Sequence, residues 1–279
     1  SYLDTLSGGD DEYLEGVRRM CVYLYERGLR TSAKRYFLDK TPRYYFIIPQ
    51  LYRVFPKAHY IILMRNPVAV LCSILRAWTK EDWLSLHRFA PDLTRAPGLL
   101  LEGMRLLGDQ GTVVHYEQLA QTPETEVRRI CGAMGVDFVP ETIDYGHHDL
   151  PRWRFGDQEG VYQHLRPTSE SVDKWADALC DAQIWRLAND YLQLLGQSMV
   201  EQMGYSYQGL CALLDARRPR EVRFLLTLPL AWLLEKPAED RSPWIRGLVR
   251  LIRSLRNRGI AATAFAGGRR LLHVLSRAR

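Results

Sequence analysis

Arg65 directly follows the apolar run Tyr60–Met64 and is itself followed by Asn66-Pro67. A buried strand that ends on an arginine places a cation where open parallel sheets bind ligands, outside the carboxyl ends of the strands. A helix starting there adds unpaired N–H groups and a positive dipole end, and the guanidinium offers a planar fork suited to phosphate. Ser73 lies eight residues beyond Arg65, about two helical turns, so its hydroxyl could approach the same anion. Lys40 likewise follows a short apolar run, Tyr36-Phe37-Leu38; a lysine is a mobile point charge able to neutralise a transferring anionic group. His115-Tyr116-Glu117 follow a further apolar run, and an aromatic at such a place can stack on a nucleobase. Each feature also has a plain alternative: Arg65 paired with a surface carboxylate, Ser73 bonded to backbone, Lys40 bridged to Asp39, Tyr116 capping a core.

The elements that would position these residues alternate. A helix is expected after Asp10-Asp11, with Tyr13, Leu14, Val17, Met20, Cys21 and Leu24 at helical spacing and Gly28 as its stop. Tyr36–Leu38 is expected as a strand, 45–55 as a helix and Tyr60–Met64 as a strand buried on both faces. Pro67 suits the first position of a helix running to about Trp78. A strand at 112–115 and a helix from Thr122-Pro123 to Gly135 follow. Strand–helix alternation implies an α/β fold, a parallel sheet flanked by helices. Residues 136–168 are loop-rich and 170–203 helical.

The 279 residues are 47% hydrophobic and 25% charged, an ordinary globular balance. The net charge of +6 hides an asymmetry: residues 217–279 hold 15 Lys/Arg against 4 Asp/Glu, whereas the first 216 hold 23 against 28. The expected organisation is therefore an α/β domain over 1–216 and a basic tail over 217–279. In the tail, Ile245, Leu248, Val249, Leu251, Ile252 and Leu255 alternate with Arg246, Arg250, Arg253, Arg256 and Arg258. Such a basic amphipathic helix suits an anionic membrane surface or an acidic partner, or it packs on the domain. Nucleic acid is disfavoured, since no recognised module is present. The five scattered cysteines form no CxxC pair and are expected as buried free thiols. No apolar run reaches the ~20 residues needed to span a bilayer. No metal is expected: the nearest candidate ligands, His147-His148, are adjacent residues that rarely converge on one ion. A kinase or other nucleoside-triphosphatase is disfavoured by the absence of GxxxxGK[ST] and of a magnesium-holding acidic strand end.

Taken together, FLDKTPRYYF, FPKAHYIILMRNPVAVLCSIL, VVHYEQLAQTPETEVRRICGAMGV and VYQHLRPTSESVDKW resemble, in order and spacing, the sulfotransferases that use 3′-phosphoadenosine 5′-phosphosulfate (PAPS). KTPRYYF is similar to the KTPxYF of heparan-type enzymes. The 25-residue step from Lys40 to Arg65, YEQL and SVDKW are closer to tyrosylprotein sulfotransferases and their bacterial relatives. The resemblance spans roughly residues 36–205. It implies a P-loop-like fold, PAPS as co-substrate and no metal. It further implies that Arg65 and Ser73 hold the 3′-phosphate and that Tyr116 lies near the adenine or its phosphate. Arg166 would belong to the loop covering the nucleotide, Lys174 would close over it, and Lys40 would stabilise the transferring sulfuryl group. The acceptor would be a hydroxyl, or an amine, on a peptide, glycan or small molecule.

One family element is not found in these residues: a loop resembling GxPRSGTT, whose backbone N–H groups cradle the 5′-phosphosulfate. The chain is accordingly expected to be either a piece of a longer enzyme or a non-catalytic nucleotide-binding or interaction domain. Tyrosylprotein sulfotransferases carry their base, a Glu, shortly after that loop; Glu12 and Glu15 lie in the N-terminal helix, and neither is assigned that role. The expected compartment is cytoplasmic, with the basic tail as a peripheral membrane contact.

Overall fold

The computed structural model describes residues 2–32, 34–79, 82–147, 164–219 and 227–235. In chain order the helices are α1 (Gly9–Ser32), α2 (Ile48–Val54), α3 (Pro67–Ser73), α4 (Ala90–Thr94), α5 (Ala96–Leu107), α6 (Tyr116–Gln121), α7 (Pro123–Met134), α8 (Glu170–Asp177), α9 (Ala182–Gln202), α10 (Tyr207–Ala216) and α11 (Leu230–Leu234). The strands are β1 (Tyr60–Met64) and β2 (Gly111–His115). The architecture is a helix-rich α/β fold with a small parallel sheet. The chain divides into two compact units, Ser1–Arg65 with Thr94–Ser169, and Asn66–Leu93 with Glu170–Arg279. The basic helix expected over 245–258 lies outside the described residues, as does His148. No helix among the described residues is long and apolar enough to cross a membrane.

The first unit is built on the sheet. β1 and β2 run parallel in a register from Tyr60↔Gly111 to Met64↔His115. α5 packs on both strands and α7 on β2. Alternation along β1 sends Ile62 and Met64 inward, 5% and 1% exposed, while Ile61 and Leu63 are 41% and 54% exposed. Among the described residues β1 is thus covered on one face only, where its continuous apolar run suggested both. α7 begins with Pro123 and ends at Gly135, whose left-handed φ of 65° closes the C-terminus as a glycine permits. Glu126, 7% exposed, is neutralised by Arg129 at 2.7 Å, and the same guanidinium donates to Val113 O at 2.7 Å, stitching α7 to β2.

Two expectations change here. Tyr36–Leu38 forms no strand, and its side chains are 60%, 47% and 81% exposed. Strand propensity describes a fit to a pleated neighbour; among the described residues the only sheet is the β1–β2 pair, and this segment is fastened to α1 instead. α1 itself forms, but it runs through the expected stop at Gly28 to Ser32, and it buries none of its residues. It is tied down by polar contacts: Arg18 Nε donates to Val54 O at 2.5 Å, Arg18 Nη2 to Arg53 O at 2.8 Å, and Arg53 pairs with Asp11 at 2.7 Å.

The second unit carries its own apolar core. Val68, Leu71 and Leu75 of the α3 segment meet Leu86, Leu187, Leu192 and Leu233, all at 2% exposure or less. Fully burying one such side chain contributes about 1.5–3 kcal/mol. The helix predicted over 67–78 is α only to Ser73 and continues as a π turn over Ile74–Trp78. Three polar ties lock the core. Gln183, 0% exposed, donates to Leu228 O and accepts from Leu228 N, each at 2.6 Å. Trp185 Nε1 donates to Leu214 O at 2.7 Å, and Tyr191 Oη to Leu93 O at 2.9 Å. All five cysteines are free, but only Cys72 and Cys131 are buried; Cys180 is exposed, contrary to the expectation for the set.

Candidate functional site

The register of the sheet explains the first pairing. Met64 and His115 are the last partners on the two strands, so Arg65 and Tyr116 are each the next residue past the carboxyl edge. The Arg65 guanidinium lies over the Tyr116 ring, 4.3 Å from its centroid. Such a contact stabilises by about 0.5–2 kcal/mol, the more so when water is excluded. Arg65 Nε is buried and has no hydrogen-bond partner among the described residues. An unmet buried donor on a cation is costly, and an anionic oxygen is the partner that would relieve it.

The helix after Arg65 does not supply the N–H groups that the sequence suggested. Pro67 has no N–H, Asn66 Oδ1 accepts from Val68 N at 3.0 Å and Ala69 N at 3.4 Å, and Asn66 O accepts from Val70 N at 3.0 Å. The first-turn amides of α3 are committed internally, so the case for an anion rests on the arginine.

Tyr145 is a further aromatic of this neighbourhood that sequence reasoning missed. Its phenol is pushed up, first by burial and then by the nearby Tyr116. The turn holding Tyr145 is joined to the segment carrying Arg166: Gly146 N donates to Leu165 O at 2.8 Å, and Arg166 pairs with Asp144 at 3.6 Å. Gly146 permits this approach, since an added Cβ would fall 2.3 Å from Leu165 Cα. The signal was a lone aromatic-glycine pair in a loop, which spacing rules do not single out.

Lys40 lies in the first unit, exposed, in the stretch after Tyr36–Leu38 rather than at a strand tip. Asp39 does not bridge to it. The carboxylate accepts instead from Tyr25 Oη and from Tyr44 Oη, the latter at 2.9 Å. Ser73 and Lys174 belong to the second unit. Ser73 is the last residue of α3 and is half-buried. Lys174 lies on α8, which packs on α3, and its nearest carboxylate is Glu170 at 3.8 Å. The expected site residues therefore form two groups, one in each compact unit. The two glutamates of α1 are engaged locally: Glu12 accepts from Ser7 Oγ and Gly8 N at the start of the helix, and Glu15 pairs with Arg18 and Arg19.

Residues 11–140 match the model of the Sulfotransferase family. It is similar to the nodulation protein NoeE of Sinorhizobium fredii, 26% identical over 204 residues that make up 65% of this chain and 47% of that protein. The chain thus spans about half the length of the curated relative it matches. A solved structure, the sulfotransferase domain from the curacin biosynthetic pathway, aligns with a TM-score of 0.43 and 19% identity over 55% of this chain and 59% of that one.

Proposed function

We propose that the chain serves sulfuryl transfer from PAPS to a hydroxyl or amine acceptor, with Arg65 as the main grip on the donor nucleotide. The observation that carries this is the Arg65 side chain: one face on Tyr116, and a buried Nε–H without a partner, directly past the edge of a parallel strand. That arrangement fits an anionic oxygen beside a flat ring system, as a phosphorylated adenosine presents. In this assignment Arg65 and Ser73 hold the 3′-phosphate, Tyr116 borders the adenine, and Arg166 and Lys174 close over the nucleotide. Lys40 meets the charge on the transferring group. The acceptor oxygen bonds to sulfur while the bond from sulfur to the 5′-phosphate oxygen breaks. The acceptor proton passes to a base, and adenosine 3′,5′-bisphosphate departs. Such transfer depends mainly on in-line positioning and charge stabilisation.

The test is isothermal titration of the full-length protein with adenosine 3′,5′-bisphosphate and with AMP, followed by a transfer assay with labelled PAPS. Strong preference for the bisphosphate, lost in Arg65→Ala, is the expected result. Equal affinity for the two nucleotides overturns the assignment. Binding of the bisphosphate without transfer to any acceptor favours a non-catalytic nucleotide-binding domain.

A further inference from the structure

Asp39 is the one carboxylate beside Lys40 in sequence, and the structure uses it for something other than a salt bridge. Tyr25 Oη and Tyr44 Oη both donate to the same oxygen, Asp39 Oδ2. The Tyr25 ring in turn stacks on Phe37, with centroids 4.2 Å apart and planes 16° from parallel. Phe37 reaches that position over Gly28, where an added Cβ would come within 3.3 Å of its ring. The stretch is thus held before Lys40, at Phe37 and Asp39, and after it, at Tyr44. Three of these attachments trace to α1 or its ring partner, although α1 buries no residue of its own.

Resting on the sulfuryl-transfer reading, we infer that Asp39, clamped between Tyr25 and Tyr44, is a positioning residue that fixes the Lys40 backbone and leaves the Lys40 ammonium unquenched for the transferring group. Two physical consequences support this. A carboxylate oxygen has a limited number of lone-pair directions, and two phenolic donors occupy those of Oδ2. Lys40 is exposed, and among the described residues no ion pair of its ammonium is seen, so its charge can meet an incoming anion. Burial, then the hydrogen bond to and charge of Asp39, push the Tyr25 phenol well above its ordinary range, so it remains a donor at any working pH.

The test uses the full-length protein and steady-state transfer kinetics. Asp39→Ala is expected to lower kcat by about 10- to 100-fold, the scale of a small misplacement of a catalytic group, while KM for PAPS changes by less than about twofold. Asp39→Asn keeps a carbonyl acceptor for the two phenols and is expected to recover most of the loss. Because Asp39 acts through Lys40, Asp39→Ala added to Lys40→Ala should cost nothing further, whereas independent roles would add. Active wild-type protein with kcat unchanged in Asp39→Ala, or with fully additive losses in the double variant, overturns the clamp alone. Wild-type protein that transfers nothing from PAPS overturns the underlying functional reading, and the inference with it.

Discussion

The guanidinium of Arg65 rests 4.3 Å from the ring centroid of Tyr116, the two residues that follow the paired strand ends Met64 and His115. The register delivers both partners without a loop between strand and side chain. The aromatic face orients the fork and reduces its freedom before any ligand arrives, so less order has to be imposed on binding.

Arg65→Lys is therefore not conservative. It keeps the charge and loses both the stack and the fork, and should weaken binding of adenosine 3′,5′-bisphosphate by about 10-fold or more. Arg65→Ala should weaken it by about 100-fold, the loss of charge-assisted hydrogen bonds to one phosphate. Isothermal titration of the three proteins checks the order; equal affinity of wild type and Arg65→Lys contradicts it.

Tyr60 makes stability fall in alkali. Its hydroxyl lies 2.9 Å from both Leu51 O and Phe55 O, and its single proton is shared between these two acceptors. Burial first, then the nearby Tyr52, push its phenol from 10.0 up to about 12. A raised pKa in the folded state means that the folded chain holds its proton longer than the unfolded one. The contribution of Tyr60 is complete below pH 10 and is lost as the pH climbs to about 12. Thermal melts across that window should show the decline, and Tyr60→Phe should flatten it while costing about 1 kcal/mol at neutral pH.

Much of the first unit was legible in the residues. Tyr60–Met64, the 112–115 strand and the Pro123-to-Gly135 helix carry their own start and stop chemistry, and they form where that chemistry places them. Tyr36–Leu38 has the same local chemistry and forms no strand, because pairing is a property of two segments and propensity reports on one. In the site, Arg65 and Tyr116 could each be named from their strand-end positions. Their mutual stacking is a consequence of register, which composition does not encode. The same holds for the commitment of Asp39 to Tyr25, a partner 14 residues away. Proximity in sequence had suggested Lys40.

Arg129 is expected to matter more than a surface arginine. Its removal in Arg129→Met leaves Glu126 buried without a counter-charge and Val113 O without its donor, a loss of about 2–3 kcal/mol. Urea denaturation should show Glu126→Gln restoring part of that loss in the double variant. An Arg129→Met protein as stable as wild type would mean that the pair is only a surface contact.

Gln183→Leu should loosen a specific segment. The substitution preserves volume but strands the N–H and carbonyl of Leu228, at roughly 1–3 kcal/mol for each unmet group. Hydrogen exchange of the amides over 228–234 is expected to accelerate ahead of those in α9. Uniform exchange throughout the second unit would point instead to a global effect.

The bare side of β1 bears on how the protein behaves at the bench. Ile61 and Leu63, on one face of the strand, present an aliphatic strip to water. Contiguous strips of this kind are adhesive. Concentrated preparations of these 279 residues should self-associate and take up fluorescent hydrophobic dyes, and a mild detergent should keep them dispersed.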